Sequence, residues 1–205
     1  MEKLATLPLE CGIAGLAHPG HEASGDDYVH QPFHGGALIG VIDGVGHGAE
    51  AATVAKLACS ILTSNAEQNV LSLIRLCHEG LRGTRGAAMS LASFNFQDSL
   101  MTWVGVGNVQ GILLRLDTAV SIQEECLLLR PGVVGSNLSP LQASVLPIAP
   151  GDTLVFATDG VQSNFDRSLA RNQPPRRAVE TLLIQHAKGN DDALIFIARY
   201  VGGRA

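Results

Sequence analysis

The chain has 205 residues, 46% of them hydrophobic and 16% charged, with a formal net charge of −5; a length of this order supports one core that takes about 70% of the unfolded surface out of water. Its apolar residues fall in short runs broken by Gly, Pro or Asp, well below the ~20 needed to span a bilayer, and its acidic balance lacks the basic surface on which nucleic-acid binding runs. The expectation is one domain over residues 1–205 with neither membrane nor nucleic acid as partner, and, because Met1 to Leu4 lack the layout of an export signal, a cytoplasmic one.

In chain order, Leu9 to Ala17 predicts a strand, then a polar turn at Ser24-Gly25-Asp26-Asp27 and a short strand through Tyr28 and Val29. Ala37 to Ile42 is a continuous apolar run of strand length, expected to be buried on both faces, and it stops abruptly at Asp43-Gly44. Val54, Leu57, Ala58, Ile61 and Leu62 keep the spacing of an amphipathic helix, and Val70, Leu73, Ile74, Cys77 and Leu81 repeat it in a second helix ending near Gly80 to Gly83. Strands follow at about Ala87 to Phe96, Leu100 to Val106 and Gly111 to Leu116, joined by turns that suit antiparallel hairpins. Thr118 to Pro150 is irregular and rich in proline, with one strand expected at Cys126 to Leu129. Asp152 to Thr158 reads as a strand, Arg176 to Lys188 as a helix with Val179, Leu182, Leu183 and His186 inward, and Ala193 to Tyr200 as a last strand. Hairpin-linked strands interrupted by helices predict an α/β sandwich of antiparallel sheets flanked by helices. Cys11, Cys59, Cys77 and Cys126 are widely spaced without a C-x-x-C pair and read as buried free thiols.

Three aspartates share one feature. Asp43 and Asp159 close strongly apolar strands, and Asp191 stands just before another, so each carboxylate is partly desolvated. In antiparallel sheets the end of one strand lies beside the start of the next, and the three can converge on one edge. Converging carboxylates repel and raise one another's pKa unless a cation sits between them. Asp26 adds a fourth carboxylate from a loop. An all-oxygen set matches Mg²⁺ or Mn²⁺ and disfavours zinc. Taken singly, an Asp-Gly pair is an ordinary turn; the joint pattern is what points to a site.

Gly44-Val45-Gly46-His47-Gly48-Ala49 runs straight into the first helix, leaving backbone N–H groups to meet an anion such as phosphate. His47 there either orients phosphate, donates a proton or packs on the loop. His18 with His21, and His30 with His34, have ligand-like spacings, but they fall in expected loops without further ligands and read as surface residues. Arg167, Arg171, Arg176 and Arg177 form a basic cluster that is either a solvated face or a seat for an acidic or phosphorylated partner.

The ordered set Ser24-Gly25-Asp26, Asp43-Gly44-Val45-Gly46-His47-Gly48 with Ala51-Ala52, Gly151-Asp152 leading to Thr158-Asp159-Gly160, and Asn190-Asp191-Asp192 resembles the metal-dependent PPM protein serine/threonine phosphatases. It is nearest to their bacterial branch of SpoIIE, RsbU and RsbX, and its compact layout, with motifs beginning almost at Met1, is most like RsbX. The resemblance implies a sandwich of two antiparallel sheets with helices outside and a pair of Mn²⁺ or Mg²⁺ ions. It makes Asp43 the bridge between them, with the Gly44 carbonyl and Asp26 on one metal, Asp159 and Asp191 on the other, and Asp27 and Asp192 behind these ligands. Catalytic roles then fall to Asp43, Asp159, Asp191 and His47. The implied reaction is hydrolysis of phosphoserine or phosphothreonine on a stressosome-type signalling protein by a hydroxide generated between the metals. The chain departs from the family pattern at Val106-Gly107-Asn108-Val109, where many members carry V-G-D-S. A catalytically inactive phosphoprotein-binding module of the same fold and a small-molecule phosphatase are the rivals; the four retained carboxylates weigh against the first, and the lack of a cap segment against the second.

Overall fold

The computed structural model describes residues 7–117, 122–165, 169 and 173–202. Its strands are β1 (Leu9–Leu16), β2 (Asp26–Phe33), β3 (Gly36–Gly44), β4 (Ala87–Asn95), β5 (Leu100–Val106), β6 (Gln110–Leu114), β7 (Glu124–Cys126), β8 (Leu129–Arg130), β9 (Gly132–Val133), β10 (Asn137–Leu138), β11 (Ser144–Pro147), β12 (Thr153–Ala157) and β13 (Ala193–Tyr200). Its helices are α1 (Ala49–Ser64), α2 (Val70–Gly80) and α3 (Pro175–His186). One sheet has the order β1-β13-β12-β6-β7, the other β11-β5-β4-β3-β2, with β8 alongside β5, and β9 and β10 form a separate hairpin.

Side chains alternate across each strand, so a strand covered on both faces contributes to two cores. On β3, Ala37, Ile39 and Val41 enter the layer between the sheets, where they join Phe94, Trp103, Phe156 and Phe196. Leu38 and Ile42 face the other way, into a core formed with Val54, Ala58 and Leu62 of α1 and Leu73, Ile74 and Cys77 of α2. On β12 and β13, Val155, Ile195 and Ile197 pack outward against Ala178, Val179, Leu182 and Leu183 of α3. The result is four layers: α1 and α2, sheet, sheet, α3. Burial of each large side chain such as Phe156 or Phe196 contributes about 1.5–3 kcal/mol.

The expected α1 stripe is rotated. Leu57 is 41% exposed, and Ala51, Ala55 and Ala58 take the buried face, because alanines let the helix lie close to β2 and β3. α2 starts at Asn69, whose side chain accepts from the Ser72 N–H at 2.9 Å, and α3 starts on Pro175, whose fixed φ and missing N–H suit a first helical position. The irregular stretch resolves into short strands that stitch the sheets together: β7 lies on β6 in one sheet, while β8 and β11 flank β5 in the other. The single strand expected at Cys126 to Leu129 is therefore two. Of the four free cysteines, Cys77 is buried, Cys11 and Cys59 are half-buried, and Cys126 is exposed on edge strand β7. No helix among the described residues is long and apolar enough to cross a membrane.

Candidate active site

Asp26 is the first residue of β2, directly opposite Asp43 on β3, and not a loop residue as the sequence suggests. Asp43 continues the Ala37-Ile39-Val41 face, so both carboxylates point into the layer between the sheets, at its open end. From the facing sheet, Thr158 follows the inward Leu154 and Phe156 of β12, and Asp192 precedes the inward Leu194 of β13. Thr158 Oγ1 donates to Asp26 Oδ2 at 2.7 Å and accepts from the Leu194 N–H at 2.8 Å. Asp192 accepts from the Gly25 N–H at 2.9 Å and the His18 N–H at 2.7 Å. These contacts tie the two sheets together where Asp159 and Asp191 emerge.

Asp43, Asp159 and Asp191 line a cleft of about 390 Å³ together with Val45, Gly46, His47, Ala88, Gly107, Asn108, Gly132 and Val133. Small residues keep its mouth open: a Cβ at Gly107 would fall 2.5 Å from the Ala88 Cβ. Close backbone packing holds the acids in place. A Cβ at Gly44 would meet the Ala51 carbonyl at 2.4 Å, and one at Gly160 would meet the Asp192 carbonyl at 1.9 Å. Only glycine fits at these two positions.

Burial pushes the Asp26 carboxyl up to about 8, with Asp43, Asp192 and Asp159 adding repulsion against the partial relief of the Thr158 hydroxyl. Burial likewise lifts Asp43 to about 7, reinforced by Asp159, Asp191 and Asp192 and eased by Asn108. The Asn108 amide also donates to Asp159 Oδ2 at 2.7 Å, so the residue that departs from the family pattern ties two of the acids together. Among the described side chains no cation reaches between these carboxylates. Lys188 turns its ammonium to the Asp159 carbonyl, at 2.5 Å, and Arg85 pairs with Glu50 beside Gly46. A cluster of repelling oxygen ligands with no counter-charge fits hard divalent cations.

The other expected site residues divide. Asp192 lies behind the cluster, bracing its loops. Asp27 does not: alternation along β2 turns it to the α1 side, where it accepts from the Tyr28 N–H and acts on Cys59. Arg176 and Arg177 are exposed at the start of α3. The cleft abuts the other end of that helix, through the Gln162 N–H on the His186 carbonyl and the Lys188 N–H on the Gly160 carbonyl. Ten residues of helix put them about 15 Å away. Arg167 and Arg171 lie outside the described residues. Asn108 stands in the sequence as a departure from the family pattern, without a role, whereas Thr158, Lys188 and Arg85 carry no signal there, because their roles depend on contacts with residues distant in sequence.

Two antiparallel sheets between helices, with acids gathered at one open end, define the PPM class of phosphatase domains. Solved structures agree. A chain from a structure of the bacterial stressosome, described as a modular system adapted to control secondary messenger signaling, matches at TM-score 0.87 and 29% identity, covering 93% of this chain and 99% of that one. RsbX in complex with magnesium matches at TM-score 0.83 and 20% identity over 97% of both chains. The phosphoserine phosphatase RsbX of Bacillus subtilis (strain 168) is 29% identical over 98 residues, 48% of this chain, so the match spans about half (49%) of that curated relative. The family model of stage II sporulation protein E (SpoIIE) matches residues 34–201, and the chain belongs to that family.

Proposed function

We propose that this chain is a single-domain, Mn²⁺- or Mg²⁺-dependent protein phosphatase that hydrolyses phosphoserine or phosphothreonine on a stressosome-type signalling protein in the cytoplasm. The observation that carries the reading is the convergence of four carboxylates, two of them raised toward neutrality, under an open cleft beside a glycine-rich helix entry. Asp43, Asp26, the Gly44 carbonyl, Asp159 and Asp191 would hold the ions, with Asp43 central to the set. The ions, when bound, polarise the phosphoryl oxygens and make hydroxide available near neutral pH.

The protein's own groups do the rest. Thr158 fixes Asp26, and Asn108 fixes Asp159 against Asp43, so the ligands do not have to reorganise when charge arrives. Backbone N–H groups of the Gly46–Gly48 turn, at the positive end of α1, face an incoming phosphate. His47, in the cleft wall, is assigned as the donor of a proton to the departing Ser or Thr oxygen. Gly132 and Val133, on the β9–β10 hairpin, form the opposite wall and are the cleft's point of contact with a folded partner.

The stressosome partner is supported by the likeness to the stressosome chain and to RsbX. The test is release of phosphate from p-nitrophenyl phosphate and from a phosphoserine protein, with Mn²⁺ and with excess chelator. Turnover that requires the cation is expected; full turnover in chelator overturns the reading.

A further inference from the structure

Three imidazoles meet at the rim of the cleft, although the sequence separates them into a loop pair and a turn residue. The ring centroids of His18 and His47 are 4.5 Å apart, those of His21 and His47 4.7 Å, and those of His18 and His21 5.1 Å. One ring nitrogen from each lies within 4.8 Å of the other two. The spacing of His18 and His21 is ligand-like after all; the third ligand comes from the Asp43–Gly48 turn, where no local pattern reveals it.

Local geometry holds the rings together at the rim, His18 and His47 stacked at 23°. His18 Nδ1 lies 2.8 Å from the Pro19 carbonyl, which accepts its N–H. The lone pair is thereby left on Nε2, the tautomer that a carbonyl partner fixes in ligating histidines. The His18 main chain is anchored through its N–H to Asp192 Oδ1, and the His21 N–H returns to the His18 carbonyl at 3.0 Å. On the other side, Gly48 has a φ of +76°, and a Cβ there would fall 2.8 Å from His21 Nδ1. Glycine is therefore what lets the His21 ring come close to the turn that carries His47.

We propose that His18, His21 and His47 form a site for a zinc-class divalent ion, separate from the carboxylate centre, with a fourth position open to water. Neutral imidazoles suit Zn²⁺, Co²⁺, Ni²⁺ and Cu²⁺, whereas the neighbouring all-oxygen set suits Mg²⁺ and Mn²⁺. The chain thus presents two seats of different chemical preference side by side, joined by the turn from Asp43 to Gly48. On the phosphatase reading, a ligated His47 no longer donates its proton, and zinc-class ions inhibit turnover. That consequence rests on the proposed function; the binding does not.

The test uses Co²⁺, whose visible bands report four-coordinate geometry, titrated into the metal-stripped full chain with Mg²⁺ in excess. One equivalent of four-coordinate Co²⁺ is expected. His18→Gln, at a half-buried position, and His21→Gln, at an exposed one, are each expected to weaken it by more than the roughly 10–100-fold that loss of an outer-shell partner costs, while Asp43→Asn leaves it unchanged. Absence of the bands, their persistence in both histidine variants, or their loss in Asp43→Asn with retention in His18→Gln overturns the proposal.

Discussion

The two ends of β12 carry carboxylates of opposite kinds. At its start, Asp152 is 3% exposed, yet it accepts from Arg115 Nη1 at 2.8 Å, the Ala149 N–H at 3.0 Å and the Leu116 N–H at 3.2 Å. Arg115 in turn also pairs with Glu125. At the other end, Thr158-Asp159 opens onto Asp26, Asp43 and Asp191, and there the acids face one another. A neighbouring glycine is common to both ends, and a buried acid lies at each, Asp152 at one and Asp26 at the other, so neither feature distinguishes structure from function. Where the protein supplies its own cation the carboxylate holds the fold, and where it supplies only more carboxylates the arrangement suits a divalent ion.

That contrast breaks most visibly at Asp43. On the proposed assignment of Asp43 as a direct ligand, Asp43→Asn is expected to lower cation-dependent turnover by more than about 100-fold, beyond the loss of an outer-shell partner. The cation-free protein is expected to melt no lower than the parent, because one repelling charge is gone. Asp152→Ala is expected to do the reverse. It takes from Arg115 one of its two carboxylate partners and removes the acceptor of the Ala149 and Leu116 N–H groups, at a cost of about 1–3 kcal/mol in urea unfolding, while the folded fraction keeps its cation affinity.

The pH dependence of the cation-free chain sharpens the same point. A carboxyl held above its unfolded value of about 4 keeps its proton after the unfolded chain has released one, so the folded state binds more protons and stability falls as pH rises. For Asp43 and Asp26 this window closes at about 7 and about 8. Melting temperature in chelator is expected to drop between pH 5 and 8, and saturating Mn²⁺ to abolish that part of the drop.

Much of this contrast is legible in the sequence, and the illegible part has physical causes. Leu100 to Val106 and Ala193 to Tyr200 coincide with β5 and β13 because long apolar segments of strand length admit few alternatives. Helix ends are less sharp: α3 begins at Pro175, one residue before the expected start, although a proline at a first helical position is itself a signal. Asp43, Asp159 and Asp191 are legible because each bounds an apolar run. Asp26 reads as a loop residue because Ser24-Gly25-Asp26-Asp27 has the composition of a turn, and only its pairing with Asp43 makes it a strand. From residue 122 to 150 the strands are two to four residues long and half-exposed, too short for periodicity to register. Roles carried by tertiary contacts, such as Thr158 on Asp26 or His47 on His18, leave no local trace.

Smaller effects refine the comparison. Thr158→Val keeps the shape but removes the donor to Asp26, and is expected to weaken cation affinity by roughly ten-fold, read as a shift in the Mn²⁺ dependence of turnover. Arg176→Ala with Arg177→Ala, at the far end of α3, is expected to reduce turnover of a phosphoprotein by less than about five-fold, as befits exposed charges, and to leave p-nitrophenyl phosphate hydrolysis unchanged. Equal loss on both substrates would bring those arginines into the catalytic site or the fold.

The most direct measurement is calorimetric titration of Mn²⁺ into the stripped chain at pH 7, in buffers of different ionisation enthalpy. An ion entering between Asp26 and Asp43 has to displace their protons, so binding is predicted to release on the order of one proton, and Asp43→Asn to lose both the release and most of the affinity. Mn²⁺ binding with no proton released, or binding that Asp43→Asn leaves intact, would contradict the claim that these carboxylates are the cation's seat.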